Sequence, residues 1–166
     1  MRPWHDRPVE VRYMFNPAFL GETAHRFCRA YTSESKKDVA FAVLFVALPI
    51  VIFEDLRETI RPLSYSQLHV WVRDNPGVRL HLPVRARHLM PYVRESITLL
   101  LHSQRLTLED GMVRAKTLRI RSPWKLSDPA MDIPVHDCLK KAETLGRWCG
   151  RVADEVSIFN MLGVRP

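Results

Sequence analysis

The three adjacent residues His136-Asp137-Cys138 are the only run whose types suggest a nucleophile: a thiol, a base to take its proton, and a carboxylate to orient the base. Their spacing works against that chemistry. Neighbouring side chains on a helix point about 100° apart, so the trio cannot form a hydrogen-bonded relay and reads as the opening of a helix. Seven histidines (His5, His25, His69, His81, His88, His102 and His136) are scattered along the chain. None pairs with cysteine or carboxylate at metal-ligand spacing. The sequence contains no glycine-rich phosphate loop ending in Lys and Ser/Thr, no HExxH pair and no serine nucleophile elbow. No catalytic residue, cofactor site or metal ligand is assigned, and the expectation is a protein that is not an enzyme.

Residues suited to recognition are more numerous. The densest basic stretch is Arg114, Lys116, Arg119, Arg121 and Lys125, with no acid between Asp110 and Asp128. A second set, Arg85, Arg87 and Arg94, belongs to one expected helix, where Arg87 and Arg94 are seven apart and share a face. Net charge is +7, and Arg outnumbers Lys 19 to 6. Guanidinium forks suit phosphate and carboxylate, so both sets are candidate contacts for DNA or an acidic partner. Val84, Ala86 and Leu89 beside them are poor base readers, which argues against sequence-specific DNA binding. Candidate subunit-interface residues are Trp4, Arg7, Glu10, Asn16, Phe19, Trp124 and Arg165. The amino-terminal aromatics, Trp4 to Phe19, dock either on the chain's own core or on another subunit. Trp124, among prolines and basic residues, suits an interface because loops seldom bury a tryptophan.

Helices and a hairpin must position these groups. Asn16 and Pro17 are a cap and first residue for a helix over 18–31, with Phe19, Thr23, Phe27 and Ala30 on one face. A polar turn follows at 32–35. The apolar run 39–53 reads as a central buried helix capped by Asp38 and kinked or interrupted at Pro49, with a short helical turn at 56–60. Ser64 caps a helix over 65–73 that buries Leu68 and Trp71. Asn75-Pro76-Gly77 makes a turn. A helix over 84–103, kinked at Pro91, carries Ala86, Met90, Val93, Ile97, Leu100 and Leu101 inward. Residues 105–108 and 112–114 form strands joined by Asp110-Gly111. A proline-punctuated loop over 121–134, a helix over 135–151 and a last helix over 153–161 ended by Gly163 complete the chain. Helix, turn, helix and hairpin is the element order of a winged helix. The expected fold is mostly α with a small β-hairpin, a single domain with a winged-helix-like core (36–121). An amino-terminal arm and helix (1–35) and a carboxy-terminal loop and helices (122–166) flank it as partner-docking segments.

Length and composition agree with this. At 166 residues, 46% apolar and 26% charged, the chain has the make-up of one soluble globular domain. The 15-residue apolar run is shorter than the roughly 20 needed to span a bilayer. The start is polar and lacks a secretory apolar core. Three separated cysteines, Cys28, Cys138 and Cys149, suggest reduced thiols and a cytoplasmic location.

The two ends carry a family resemblance. Trp4, Arg7-Pro8, Glu10 and Asn16-Pro17-Ala18-Phe19 open the chain, and Leu162-Gly163-Val164-Arg165-Pro166 closes it. Together with Leu48-Pro49, Arg57 to Pro62 and Arg85-Ala86-Arg87, they resemble the three-component ABC system middle component family of Lamassu-type bacterial defence operons. The resemblance implies a non-catalytic adaptor without a cofactor. Its partners would be an SMC-like ABC ATPase dimer and an effector, often a nuclease, with sequence-independent contact to double-stranded DNA and no membrane. The rival expectation, from helix and hairpin alone, is a stand-alone winged-helix transcription regulator.

Overall fold

A computed structural model describes residues 6–8, 15–61, 67–116 and 129–165, with the backbone alone for 129–133. Helix α1 (Pro17–Ser35) starts as its sequence dictates. The Asn16 side chain accepts from the Ala18 amide at 2.8 Å, and Pro17 takes a position where an amide hydrogen has no intrahelical partner. The helix carries on through 32–35, where a polar turn was expected. Ser33 and Glu34 lie toward solvent, Glu34 is held by Arg151 at 3.0 Å, the Thr32 hydroxyl is buried, and the helix stops only at Lys36, with φ 59°.

The apolar run 39–53 is not one helix. Val39–Ala40 form strand β1, Phe41–Val43 make one 3₁₀ turn, and α2 (Leu44–Ile52) follows. Asp38 does not cap it. Its carboxylate accepts from Arg114 Nε at 2.9 and 3.1 Å, and β-branched Val39 pairs instead with Val113. Helix α2 runs uninterrupted through Pro49 and buries every residue except Phe45. The short α3 (Glu54–Arg57) returns Arg57 to the end of α2, where Nη1 donates to the Val51 and Ile52 carbonyls at 3.4 and 3.1 Å. Those carbonyls have no intrahelical donor, so the guanidinium completes the helix terminus.

Helix α4 (Leu68–Asp74) begins at Leu68, and Ser64, its expected cap, lies outside the described residues. It buries Leu68, Trp71 and Val72. Trp71 packs against Trp148 with ring centroids 5.9 Å apart. Helix α5 (Gly77–His102) starts directly after the Asn75-Pro76 turn and not at 84. Pro83 and Pro91 each remove one backbone bond. The buried row Val78, Leu82, Ala86, Leu89, Val93 and Ile97 holds the helix on the core in spite of them.

Strands β2 (Leu106–Glu109) and β3 (Met112–Ala115) form the expected hairpin. Asp110 and Gly111 take φ of 50° and 76°, the pair of left-handed residues a two-residue type I′ turn requires. The sheet gains a third strand, in the order β1-β3-β2. Helix α6 (Pro129–Val152) takes in the end of the loop expected over 121–134; Pro129 sits in its first turn, where proline is tolerated. Helix α7 (Glu155–Leu162) starts at its Asp154 cap and ends at Gly163, φ 70°.

Helices α1 and α6 lie side by side in parallel. Gly146 faces Phe27 and Ala30, and Gly150 faces Tyr31 and Glu34. A Cβ at Gly146 would stand 2.5 Å from the Phe27 carbonyl oxygen, and one at Gly150 would stand 2.6 Å from that of Tyr31. Glycine is what lets the two backbones approach. One apolar cluster, from Leu20 to Leu162, unites the helices and sheet.

Candidate functional site

The chemical trio separates. His136 is exposed, Asp137 accepts from Arg57 Nε at 3.1 Å, and the Cys138 sulfur is buried against the Val51 carbonyl. Burial pushes all three thiols toward the protonated form, that of Cys149 up to about 12. A buried, protonated thiol is a poor nucleophile. Among the described residues, no three His, Cys, Asp or Glu side chains gather as a metal site.

The amino-terminal candidates are engaged within the chain. Arg7 is buried and makes a forked contact with Glu95 of α5 at 2.8 and 3.0 Å, over the Tyr92 ring. Asn16 caps α1, and half-buried Phe19 packs on the core. Phe15 rests on Phe53 and Tyr92. Arg165 is exposed, while Trp4, Glu10 and Trp124 lie outside the described residues.

The basic candidates divide in the same way. Arg85 pairs with Asp55 and lies 4.7 Å from the Phe53 ring centroid; its hydrogen bond holds the Asp55 carboxyl below its ordinary range. Arg94 is exposed above the Phe45 ring. Arg87 is exposed and has no ion pair among the described residues. In the hairpin, Arg114 is held by Asp38, whereas the Lys116 side chain is exposed. Arg119, Arg121 and Lys125 lie outside the described residues.

A buried polar cluster at the root of the hairpin went unread in the sequence. Glu22, on the inner side of α1, accepts from Arg26 at 2.9 Å and from Arg105 just before β2; Arg26 also reaches Glu143 of α6 at 3.0 Å. One turn on, His25 Nε2 lies 2.9 Å from the Lys116 carbonyl just after β3, so that nitrogen carries the hydrogen and donates. Both ends of the hairpin are thus tied to α1. Burial, with Arg105 and Arg29 nearby, pushes the His25 pKa below 6.5 despite the favourable carbonyl and Glu22. The unfolded chain therefore binds a proton that the native state resists, and stability falls as pH drops below about 6.5. A urea midpoint that declines between pH 7.5 and 5.5 in the wild type, with a shallower decline in His25→Gln, is the expected result. Identical slopes for the two proteins would refute it.

The surface also offers an apolar feature. His69, Val72, Arg73, Pro76, Arg79 and Met161 line a cleft of about 320 Å³ between α4, α5 and α7. Beside it, Leu80 and Val84 stand 76% and 57% exposed on the outer face of α5. The signal available in the sequence was the absence of any acid between Asp74 and Glu95, a span that includes Arg79, Arg85, Arg87 and Arg94.

No curated protein and no solved structure matches the chain. A family model does match, over residues 4–166, from the amino-terminal arm to the last residue. The chain belongs to the ABC-three component (ABC-3C) system Middle Component 3 family, and a middle component implies partner subunits.

Proposed function

We propose that the chain is the non-catalytic adaptor of a bacterial anti-phage and anti-plasmid complex of the Lamassu type. In this reading it works in the cytoplasm, bridges an SMC-like ABC ATPase dimer and a nuclease effector, and holds the effector inactive until foreign DNA is sensed. The family match over residues 4–166 is the observation that carries it. The separation of His136, Asp137 and Cys138, with Asp137 on Arg57 and the Cys138 sulfur buried against the Val51 carbonyl, supports the non-catalytic part of it. In this reading the outward surfaces of 1–35 and 122–166 are the docking segments, beside a winged-helix-like core at 36–121.

The purified chain is expected neither to hydrolyse ATP nor to cut DNA, and to co-purify with the two proteins encoded beside it. Robust ATPase or nuclease activity of the chain alone would overturn the reading. Charge reversal at Arg119 and Arg121 assigns the basic stretch. Loss of assembly without DNA marks a protein contact. A lower salt slope of DNA binding, by about 0.9 per lost phosphate contact and alike for all sequences, marks a DNA contact.

The α4–turn–α5–hairpin order favours one second reading, a stand-alone winged-helix transcription regulator. That protein would bind its own promoter as a dimer across two half-sites about one helical turn apart.

A further inference from the structure

We propose that the outer face of α5 at Leu80 and Val84, with the adjoining cleft, docks an acidic amphipathic helix of a partner subunit. The inference rests on the adaptor reading and gives it a place on the surface. Leu80 and Val84 are four residues apart, one helical turn, and centre the side of α5 opposite its buried row. Pro76, one turn before Leu80, also lines the cleft, so strip and cleft adjoin. Scattered exposed apolar residues are ordinary. Two in register beside an apolar hollow form a patch of the kind that marks an interaction site. A ridge with i, i+4 spacing accepts the complementary ridge of another helix.

Charge selects the occupant. Arg73 and Arg79 flank the cleft, and each uses Nε inside the chain, on Asp74 and on the Met161 carbonyl. Among the described residues their terminal nitrogens make no hydrogen bond, so both forks remain open to carboxylates. Exposed Arg87 lies three residues beyond Val84, on the same side. With no acid between Asp74 and Glu95, the face repels a second copy of itself and attracts an acidic surface. DNA satisfies the cations but gains nothing from covering Leu80 and Val84, which have no hydrogen-bonding groups. A helix with apolar residues on one side and Asp or Glu flanking them satisfies both.

The test is a double substitution, Leu80→Asp with Val84→Asp, and separately Arg87→Glu, in the full chain co-expressed with its two operon neighbours. Both positions are exposed, so thermal melting should match the wild type. The double variant is expected to lose one partner by at least tenfold in affinity and keep the other. Arg87→Glu should weaken the same partner, with a smaller salt dependence than the wild type. Retention of both partners at wild-type affinity by the double variant overturns the docking site and leaves the adaptor reading standing. A wild-type chain that captures neither neighbour overturns both. Loss of DNA affinity or of self-association, with both partners kept, also overturns the proposal.

Discussion

Replacing Gly146 and Gly150 together by alanine is expected to cost about 2–4 kcal/mol, a large share of the 5–15 kcal/mol that separates folded from unfolded domains. Each new methyl group would sit 2.5 or 2.6 Å from a backbone carbonyl oxygen of α1. Carbon and oxygen do not approach within 3 Å without repulsion, and a carbonyl inside a helix cannot rotate away as a side-chain tip can. Relief requires α1 and α6 to separate along the seam, which opens gaps around Phe27 and Leu145. Overpacking of this kind costs about 1–3 kcal/mol per site and sometimes more. Alanine returns up to about 1 kcal/mol per site through its better helix propensity, which does not close the difference. The urea midpoint should fall with the m-value unchanged. Gly77→Ala is the matched control: nothing lies within 4 Å of its Cβ position, so it should be neutral or slightly stabilising. Equal midpoints for the two variants would refute the packing argument.

Glu22→Ala is expected to cost about 2–4 kcal/mol. The Glu22 side chain is 3% exposed, and Arg105 and Arg26 are 20% and 33% exposed. Removing the carboxylate leaves the Arg105 guanidinium, whose Nε is already buried without a partner, with no carboxylate to answer it, while Arg26 keeps Glu143. The two arginines hold the Glu22 pKa below its ordinary value against the opposing effect of burial. Its stabilisation is therefore complete above the ordinary carboxylate range and is lost as pH falls through the lower folded value. That loss comes at more acid pH than the His25 limb, so the two are separable in one titration. Glu22→Gln keeps the shape and should cost less. Amide exchange should rise first in Leu106–Glu109 and Met112–Ala115, because Arg105 anchors the hairpin. Unchanged hairpin protection in Glu22→Ala would show that the anchor lies elsewhere.

Short-range chemistry was legible in the sequence and long-range coincidence was not. Asn16-Pro17 and Asp110-Gly111 act through their own backbone, so their types alone announce a helix start and a tight turn. Val39 is β-branched, but two residues at the head of a long apolar run are too short a strand signal to stand out. They extend only because Val113 and Met112, far along the chain, offer a free edge. Gly146 and Gly150 read as weak helix residues, since periodicity records which side chains face inward and not how near another backbone comes. Glu22 and His25 interrupt the apolar pattern of α1 and gain meaning only from Arg105 and the Lys116 carbonyl. At the candidate site, the basic character of α5 was readable. Its apolar centre was not, because an exposed leucine and a buried one look alike in sequence.

The parallel seam between α1 and α6 joins groups far apart in the chain, such as the Arg26–Glu143 pair, 117 positions apart. During synthesis α1 leaves the ribosome long before the glycines that receive it exist. Its inner face, with Leu20, Ala24, Phe27 and Tyr31, must wait exposed for most of translation. The seam therefore closes late, only once α6 has been made.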